Sequence, residues 1–290
     1  MLSAFEIVDE RGRIDQPCAL LLGGFDGLHV GHASLLKAAK DTGLPVAITS
    51  IGGLKRGGDL FTREERRTVF REAGISYVLE FAFTEEFRAT PARAFIKNIL
   101  ERVNAKALFC GADFRFGKGA AGTPALLKHI APCPVNVLPL TLVNGEKAAV
   151  SSVKELLASG KMQEANALCG GFFLQGEVEH GRQVGRTYGF PTLNLTYPDG
   201  KFPMKEGVYG GTVKTSVGEF SSIIHFGARP TFGVQERKVE AYLKDFSGDL
   251  YGATVRVEPK RFLREICTFS SQEALKEQLK ADILQIETGI

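Results

Sequence analysis

The arrangement of apolar segments changes near residue 170, and this change constrains the fold more than any other feature of the chain. Before it, short apolar runs alternate with amphipathic stretches of helical spacing. After it, short β-rich segments are separated by Gly, Pro and Asp. The pattern predicts two domains, residues 1–167 and 168–290, and a chain of 290 residues is long enough for both.

The first half predicts an α/β domain. Buried strands are expected at 18–22, 45–49, 77–79, 107–110 and 135–138. Thr62 and Glu65 have the spacing of a helix capping box. Thr90, with Pro91 at the first helical position, predicts another helix whose apolar face extends to Val103. Strands alternating with helices favour a mostly parallel sheet covered on both faces, which binds ligands beyond the carboxyl ends of its strands.

The second half predicts an antiparallel barrel or sandwich with a terminal helix. Its strands are expected at 207–214, 221–226, 239–243 and 253–257. The helix is expected at 271–286, with Ser271 as its cap and an apolar stripe at helical spacing.

Net charge, apolar run lengths and cysteine positions argue against some kinds of binding partner. A net charge of +3 does not indicate a nucleic-acid partner. No apolar run approaches the ~20 residues that a membrane helix needs, and the N-terminus lacks a signal-peptide core. The five cysteines are scattered, and three of them lie within or beside apolar runs. We therefore expect buried free thiols and a cytoplasmic protein without a membrane partner.

One motif, residues 23–32, directly follows the first predicted strand. A helix N-terminus at this position offers free N–H groups to a nucleotide phosphate. His29 and His32 can both donate to a triphosphate and stabilise charge at the α-phosphorus. The predicted nucleotide-binding residues here are Gly23, Phe25, Asp26 and Gly27. The alternative interpretation is a pair of surface histidines at a helix start.

A second motif occupies residues 185–195. Its candidate phosphate-binding residues are Gly185, Arg186, Gly189, Pro191, Thr192 and Asn194. The glycines allow close approach of the backbone to a phosphate. Thr192 and Asn194 would point to the same face of an extended segment and suit Mg²⁺ that carries nucleotide phosphates. The alternative is a glycine-rich hairpin in which both side chains bond only to the backbone.

These motifs resemble those of the bacterial bifunctional riboflavin kinases/FAD synthetases. Residues 185–194 are similar to the kinase signature, and residues 23–32 are similar to the nucleotide-binding end of FAD synthetases. Further similar blocks follow in the family's order at 207–209, 226–232, 240–246 and 249–252. The resemblance implies a Rossmann-like nucleotidyltransferase domain followed by a compact antiparallel β-barrel kinase domain.

The resemblance also implies an activity and site residues. The barrel would phosphorylate riboflavin to FMN with Mg-ATP, and the first domain would adenylate FMN to FAD, so both flavins would be products. Glu240 would accept the hydroxyl proton, and Arg264 and Phe269 would line the flavin pocket. In the first domain, Asp113 and Ser152 would contact the nucleotide, and the loop 117–122 would face phosphate or ribose.

The sequence departs from the family pattern at two positions. Val153 and Leu156 stand where the resemblance places a Thr and an Arg that hold ATP phosphates. Lys154 offers a positive charge from a different angle but lacks the bidentate fork of Arg. Two alternatives therefore remain: a monofunctional riboflavin kinase with an impaired adenylyltransferase domain, and a non-catalytic regulator that responds to flavin or nucleotide. The sequence does not specify an oligomeric state.

Overall fold

The protein folds into two units of different architecture. The computed structural model describes residues 5–9, 12–53, 57–143, 145–180, 192–231 and 234–288. One compact unit ends at Val150 and the other begins at Ser151. An α/β unit followed by a β-barrel unit confirms the predicted fold class.

The first unit contains a six-stranded parallel sheet in the order β1–β4–β3–β2–β5–β6. Its strands are β1 (Glu6–Val8), β2 (Ile14–Leu21), β3 (Val46–Gly52), β4 (Tyr77–Ala82), β5 (Val103–Gly111) and β6 (Val135–Leu138). Its helices are α1 (Val30–Lys40), α2 (Arg63–Glu72), α3 (Glu85–Ala89), α4 (Ala92–Leu100) and α5 (Pro124–Ile130). A hairpin of β7 (Leu142–Val143) and β8 (Glu146–Lys147) follows.

Both faces of this sheet are covered, as the alternating pattern predicted. Leu20 and Leu22 pack on one face in a cluster that includes side chains of α4 and α5. Ala19 and Leu21 pack on the other face with side chains of α1 and α2. Because all strands run in one direction, the loops that follow β2, β5 and β6 meet at the carboxyl edge of the sheet.

Local signals placed some helix ends correctly and one incorrectly. The Thr62 hydroxyl accepts from the Glu65 N–H at 3.2 Å, and the Glu65 carboxylate accepts from the Thr62 N–H at 2.7 Å, which confirms the capping box. Thr90 instead follows α3, Pro91 is the N-cap of α4, and Val103 begins β5. The helix assignment of Val103 was wrong because this residue pairs with β2 in the sheet.

The second unit is an antiparallel barrel with helices before and after it. Its strands are β9 (Leu174–Glu177), β10 (Thr192–Thr196), β11 (Gly207–Thr215), β12 (Gly218–Thr231), β13 (Val234–Leu243) and β14 (Thr254–Arg264), in the order β10–β13–β12–β11–β14–β9. The Glu179 N–H donates to the Asn194 carbonyl at 2.8 Å and connects the two edge strands. The helices are α6 (Val150–Ala158), α7 (Met162–Cys169) and α8 (Gln272–Thr288). Ser271 caps α8 through the Ala274 N–H, as predicted.

Candidate functional site

A cleft of about 860 Å³ lies at the carboxyl edge of the parallel sheet. Its walls come from the loop after β2, the start of α1, the loop after β5 and the segments 139–141 and 147–150. Most predicted nucleotide-binding residues of the first unit line it: Gly23, Phe25, Asp26, His29, His32 and Asp113. Gly27 has φ +88°, and a Cβ there would lie 2.5 Å from the Phe61 ring, so glycine is needed for the loop conformation.

His29 and His32 lie together at the N-terminus of α1. Their rings stack with centroids 3.7 Å apart, and the His32 ring contacts Phe25 at 4.7 Å. The Gly31 N–H donates to His29 Nδ1 at 3.1 Å. A neutral His29 ring therefore carries its proton on Nε2, where it is a donor. Two imidazoles beside a helix N-terminus form a suitable environment for a phosphate.

Phe25 adopts a backbone conformation that is unusual for a residue with a side chain. Its φ is +35°, and a Cβ on Gly23 would lie 2.6 Å from the Phe25 ring. The Gly23 N–H donates to the Thr49 hydroxyl at 3.0 Å, and that hydroxyl donates to the Gly23 carbonyl at 2.7 Å. The loop after β2 is thus bound to β3, and its conformation places the Phe25 ring beside His32.

Asp26 is directed into the protein. Its carboxylate accepts from the Leu60 N–H at 2.6 Å and the Phe61 N–H at 3.1 Å, and it lies 3.5 Å from Arg66. Burial raises the pKa of Asp26 above its ordinary value, although both hydrogen bonds act in the opposite direction. The carboxylate links the loop after β2 to the segment before α2. Direct nucleotide binding by Asp26 stays a prediction.

The loop 117–122 lines part of the cleft, but many of its backbone donors are already used. The Lys118 N–H donates to Thr90, the Ala120 N–H to Gly117 and the Gly122 N–H to Phe116. The loop can therefore contact a ligand through the side chain of Lys118, which lines the cleft, more readily than through its backbone N–H groups.

Lys147 belongs to no motif of the sequence, yet it lies at the cleft. This residue of β8 lines the cleft and forms an ion pair with Asp113 in the loop after β5. No sequence signal marks the pair, because the two residues are 34 positions apart and meet only in the folded chain.

Helix α6 contains both departures from the family pattern, Val153 and Leu156. Val153 is completely buried, so its side chain does not face solvent. The Lys154 ammonium lies 5.1 Å from the centre of the Phe202 ring. A loss of phosphate binding caused by Val153 in place of Thr stays a prediction. Ser152 is half-buried, and its contact with nucleotide stays a prediction.

In the barrel, strand pairing brings three polar residues into one row. Asn194 of β10 pairs with Glu240 of β13, which pairs on its other side with His225 of β12. Cross-strand partners point to the same face. Thr192 lies two residues from Asn194 and shares that face, as predicted. The intervening Leu193, Leu195, Val239 and Ala241 are buried on the opposite face. Gly185, Arg186, Gly189 and Pro191 lie outside the described residues.

A polar cluster adjoins this row. The Thr196 hydroxyl donates to the Glu179 carboxylate at 2.7 Å, and Lys238 donates to it at 3.0 Å. Burial acts to raise the pKa of Glu179, but these hydrogen bonds hold it below its ordinary value. Neither this cluster nor His225 was predicted, since strand register alone places them beside Asn194 and Glu240.

Arg264 has a structural contact that the sequence did not reveal. Its guanidinium donates to Asp282 of α8, with Nη2 2.8 Å from a carboxylate that is fully buried. The same guanidinium lies 5.8 Å from the centre of the Phe269 ring. Arg264 thus connects β14 to the terminal helix, and flavin contact by Arg264 and Phe269 stays a prediction.

The barrel row can supply oxygen ligands to a metal. The described residues contain no group of three or more His, Cys, Asp or Glu side chains suited to a metal ion. A hydroxyl from Thr192 and an amide carbonyl from Asn194 nevertheless suit Mg²⁺, which takes few protein ligands when phosphates supply the others.

Three buried cysteines agree with the expectation of buried thiols. Cys18, Cys110 and Cys169 are buried, and desolvation raises the pKa of each to about 11. Within the described part of the chain, no helix is long and apolar enough to span a membrane.

Comparison with known proteins assigns the family. Residues 12–154 match the family model described as FAD synthetase, and residues 168–289 match the one described as riboflavin kinase. The bifunctional riboflavin kinase/FMN adenylyltransferase of Escherichia coli (strain K12) is 32% identical over 286 residues, which cover 92% of this chain and 91% of that protein. The chain belongs to this bifunctional family.

Other relatives extend the similarity. The Bacillus subtilis (strain 168) enzyme of the same name is 29% identical over 91% of this chain and 89% of its own length. A crystal structure described as a macrolide-efflux protein from Streptococcus pneumoniae has a TM-score of 0.87 and 26% identity, and covers 97% of this chain and 98% of that one. The same two-unit fold therefore extends along nearly the whole chain of that protein.

Proposed function

We propose that the barrel unit phosphorylates riboflavin to FMN and that the α/β unit adenylates FMN to FAD. One observation carries the proposal: each family match coincides with a site of suitable chemistry. The kinase match contains the Asn194–Glu240–His225 row, and the synthetase match contains the cleft with His29 and His32. ATP, riboflavin and FMN are the substrates, and the buried thiols suit a cytoplasmic location.

In the kinase reaction, Glu240 accepts the proton of the terminal ribityl hydroxyl as that oxygen attacks the γ-phosphorus of ATP. The bond from this phosphorus to the β,γ-bridging oxygen breaks, and ADP leaves with the electron pair. Thr192 and Asn194 would hold Mg²⁺ and the phosphates on the same sheet face as Glu240. When bound there, Mg²⁺ would neutralise charge on the phosphates. Gly185, Arg186, Gly189 and Pro191, which lie outside the described residues, are the further phosphate ligands of this proposal, and Arg264 and Phe269 would line the flavin pocket.

In the adenylyl transfer, an oxygen of the FMN phosphate attacks the α-phosphorus of ATP and pyrophosphate leaves. His29, through Nε2–H, and His32 stabilise the charge that develops on the phosphates, together with the N-terminus of α1. Gly23, Phe25, Asp26 and Gly27 shape this part of the cleft, and Asp113 and Ser152 contact the nucleotide. Positioning and charge stabilisation suffice, so no side-chain nucleophile is needed.

Incubation of the purified chain with riboflavin and Mg-ATP tests both activities. We expect FMN first, then FAD with release of one pyrophosphate per FAD, and neither product after chelation of the metal. Accumulation of FMN without FAD would refute the adenylyltransferase activity and leave only riboflavin kinase activity. Absence of FMN would refute the kinase assignment.

A further inference from the structure

The ion pair between Lys147 and Asp113 connects two walls of the nucleotide cleft. The side chains keep 47% and 45% of their surface exposed, and both line the cleft. Exposed ion pairs add little stability, because water and salt screen them. A ligand that carries charge can therefore separate this pair at low cost.

The backbone beside Lys147 lies against the histidine motif. A Cβ on Gly31 would lie 3.2 Å from the carbonyl oxygen of Ala148, the residue that follows Lys147. Gly31 stands between His29 and His32 in the first turn of α1. The segment that carries Lys147 thus packs directly on the turn where the nucleotide phosphates are expected.

Two other charged side chains that line the cleft have partners of their own, and Arg115 and Lys118 also line it. Arg88 is paired with Glu85 at 2.8 Å, and Asp26 accepts from two buried backbone N–H groups. Lys154, which the sequence suggested as a phosphate ligand, is buried against Phe202. The charge that Leu156 does not supply can come from Lys147.

We propose that Lys147 leaves Asp113 when ATP binds and contacts the β- and γ-phosphates, where it neutralises the departing pyrophosphate. This inference rests on the adenylyltransferase activity proposed above. The new bond joins an FMN phosphate oxygen to the α-phosphorus, and the bond from that phosphorus to the bridging oxygen breaks. The electron pair stays on pyrophosphate, whose added charge the ammonium of Lys147 stabilises. Asp113, once released, accepts a hydrogen bond from a hydroxyl of the bound nucleotide.

The test compares Lys147→Met, Lys147→Arg and the charge exchange Asp113→Lys/Lys147→Asp in the full-length chain. FAD formation is measured at varied ATP and FMN, and inhibition by added pyrophosphate is measured separately. Lys97→Met is the matched control, because Lys97 of α4 is also an exposed lysine paired with a carboxylate, at 3.7 Å from Glu101, the C-cap of that helix. Calorimetric unfolding of the first unit reports folding of each variant, because the riboflavin kinase match lies in the other unit.

We expect Lys147→Met to lower kcat for FAD by about thirtyfold to a hundredfold. The KM for FMN should change little, and pyrophosphate should inhibit less strongly. Lys147→Arg should retain most activity. The charge exchange should stay impaired, because it restores the ion pair but puts a carboxylate where the phosphates bind. Lys147→Gln provides a second neutral variant if the Met variant misfolds.

Two results would overturn the inference: a neutral Lys147 variant within twofold of the wild type, or recovery of FAD formation by the charge exchange. The second result would assign the pair a purely structural role. Wild-type protein that forms no FAD would instead contradict the proposed adenylyltransferase activity itself.

Discussion

Replacement of Asp26 separates a structural role from a nucleotide-binding role. The sequence predicted that Asp26 contacts nucleotide, whereas the carboxylate accepts from the N–H groups of Leu60 and Phe61. Both of these residues are 1% exposed, and Arg66 beside them is buried as well. Asp26→Ala would leave the buried N–H groups of Leu60 and Phe61 without their acceptor. It would also remove one of the carboxylates that lie beside the buried guanidinium of Arg66.

The expected loss follows from these contacts. A buried donor left without its acceptor costs about 1–3 kcal/mol, and removal of one member of a buried ion pair costs about 3–5 kcal/mol. Because these contributions overlap, we expect Asp26→Ala to lower the free energy of unfolding of the first unit by about 3–5 kcal/mol. For a unit of this size, that loss corresponds to a fall in Tm of roughly 6–20 °C. Asp26→Asn keeps one acceptor and should cost about 1–2 kcal/mol.

Calorimetry of the full-length chain measures the unfolding of each unit, and hydrogen exchange at Leu60 and Phe61 reports the local contact. The Ala variant should destabilise the first unit, speed exchange at both amides and leave riboflavin kinase activity unchanged. An unchanged Tm together with lost FAD formation would refute the structural argument and return Asp26 to nucleotide binding.

Three further predictions concern the second unit. Glu240→Gln should lower the kcat for FMN formation about a hundredfold with little change in KM for riboflavin, since it removes the proton acceptor. Wild-type kcat of this variant in steady-state kinetics would exclude Glu240 as the base. Burial acts to raise the pKa of Glu258, but hydrogen bonds from lysines hold it below its ordinary value of 4.5. The stability that ionised Glu258 contributes is therefore complete above that pH and is lost as the pH falls through the folded pKa. Urea titrations should show that the difference in unfolding free energy between wild type and Glu258→Gln shrinks on acidification, and a constant difference would contradict this prediction. A fragment of residues 151–290 should form FMN and should have a higher Tm than a fragment of residues 168–290. The shorter fragment lacks Asn166, whose side-chain amide donates to the Pro259 carbonyl at 2.8 Å. Equal Tm values would contradict this prediction.

Sequence reasoning succeeded where the determinants are local. The capping box at Thr62 depends on residues three positions apart, and the placement of Thr192 and Asn194 on one face follows from the twofold period of a strand. It failed at Val103, which strand pairing with β2 assigned to β5. It also did not reveal that Val153 is buried in α6. In both cases a contact with a distant segment outweighed the local pattern.

The sequence by itself determined the two architectures, the order of most elements and the two motifs, because periodicity, caps and glycine positions act over a few residues. Only the tertiary structure decided which polar groups meet. Strand register placed His225 beside Glu240, and the meeting of two loops paired Lys147 with Asp113. The contact between Arg264 and Asp282 likewise joins a strand to the terminal helix. These pairs depend on how distant segments pack, and no local rule of spacing contains that information.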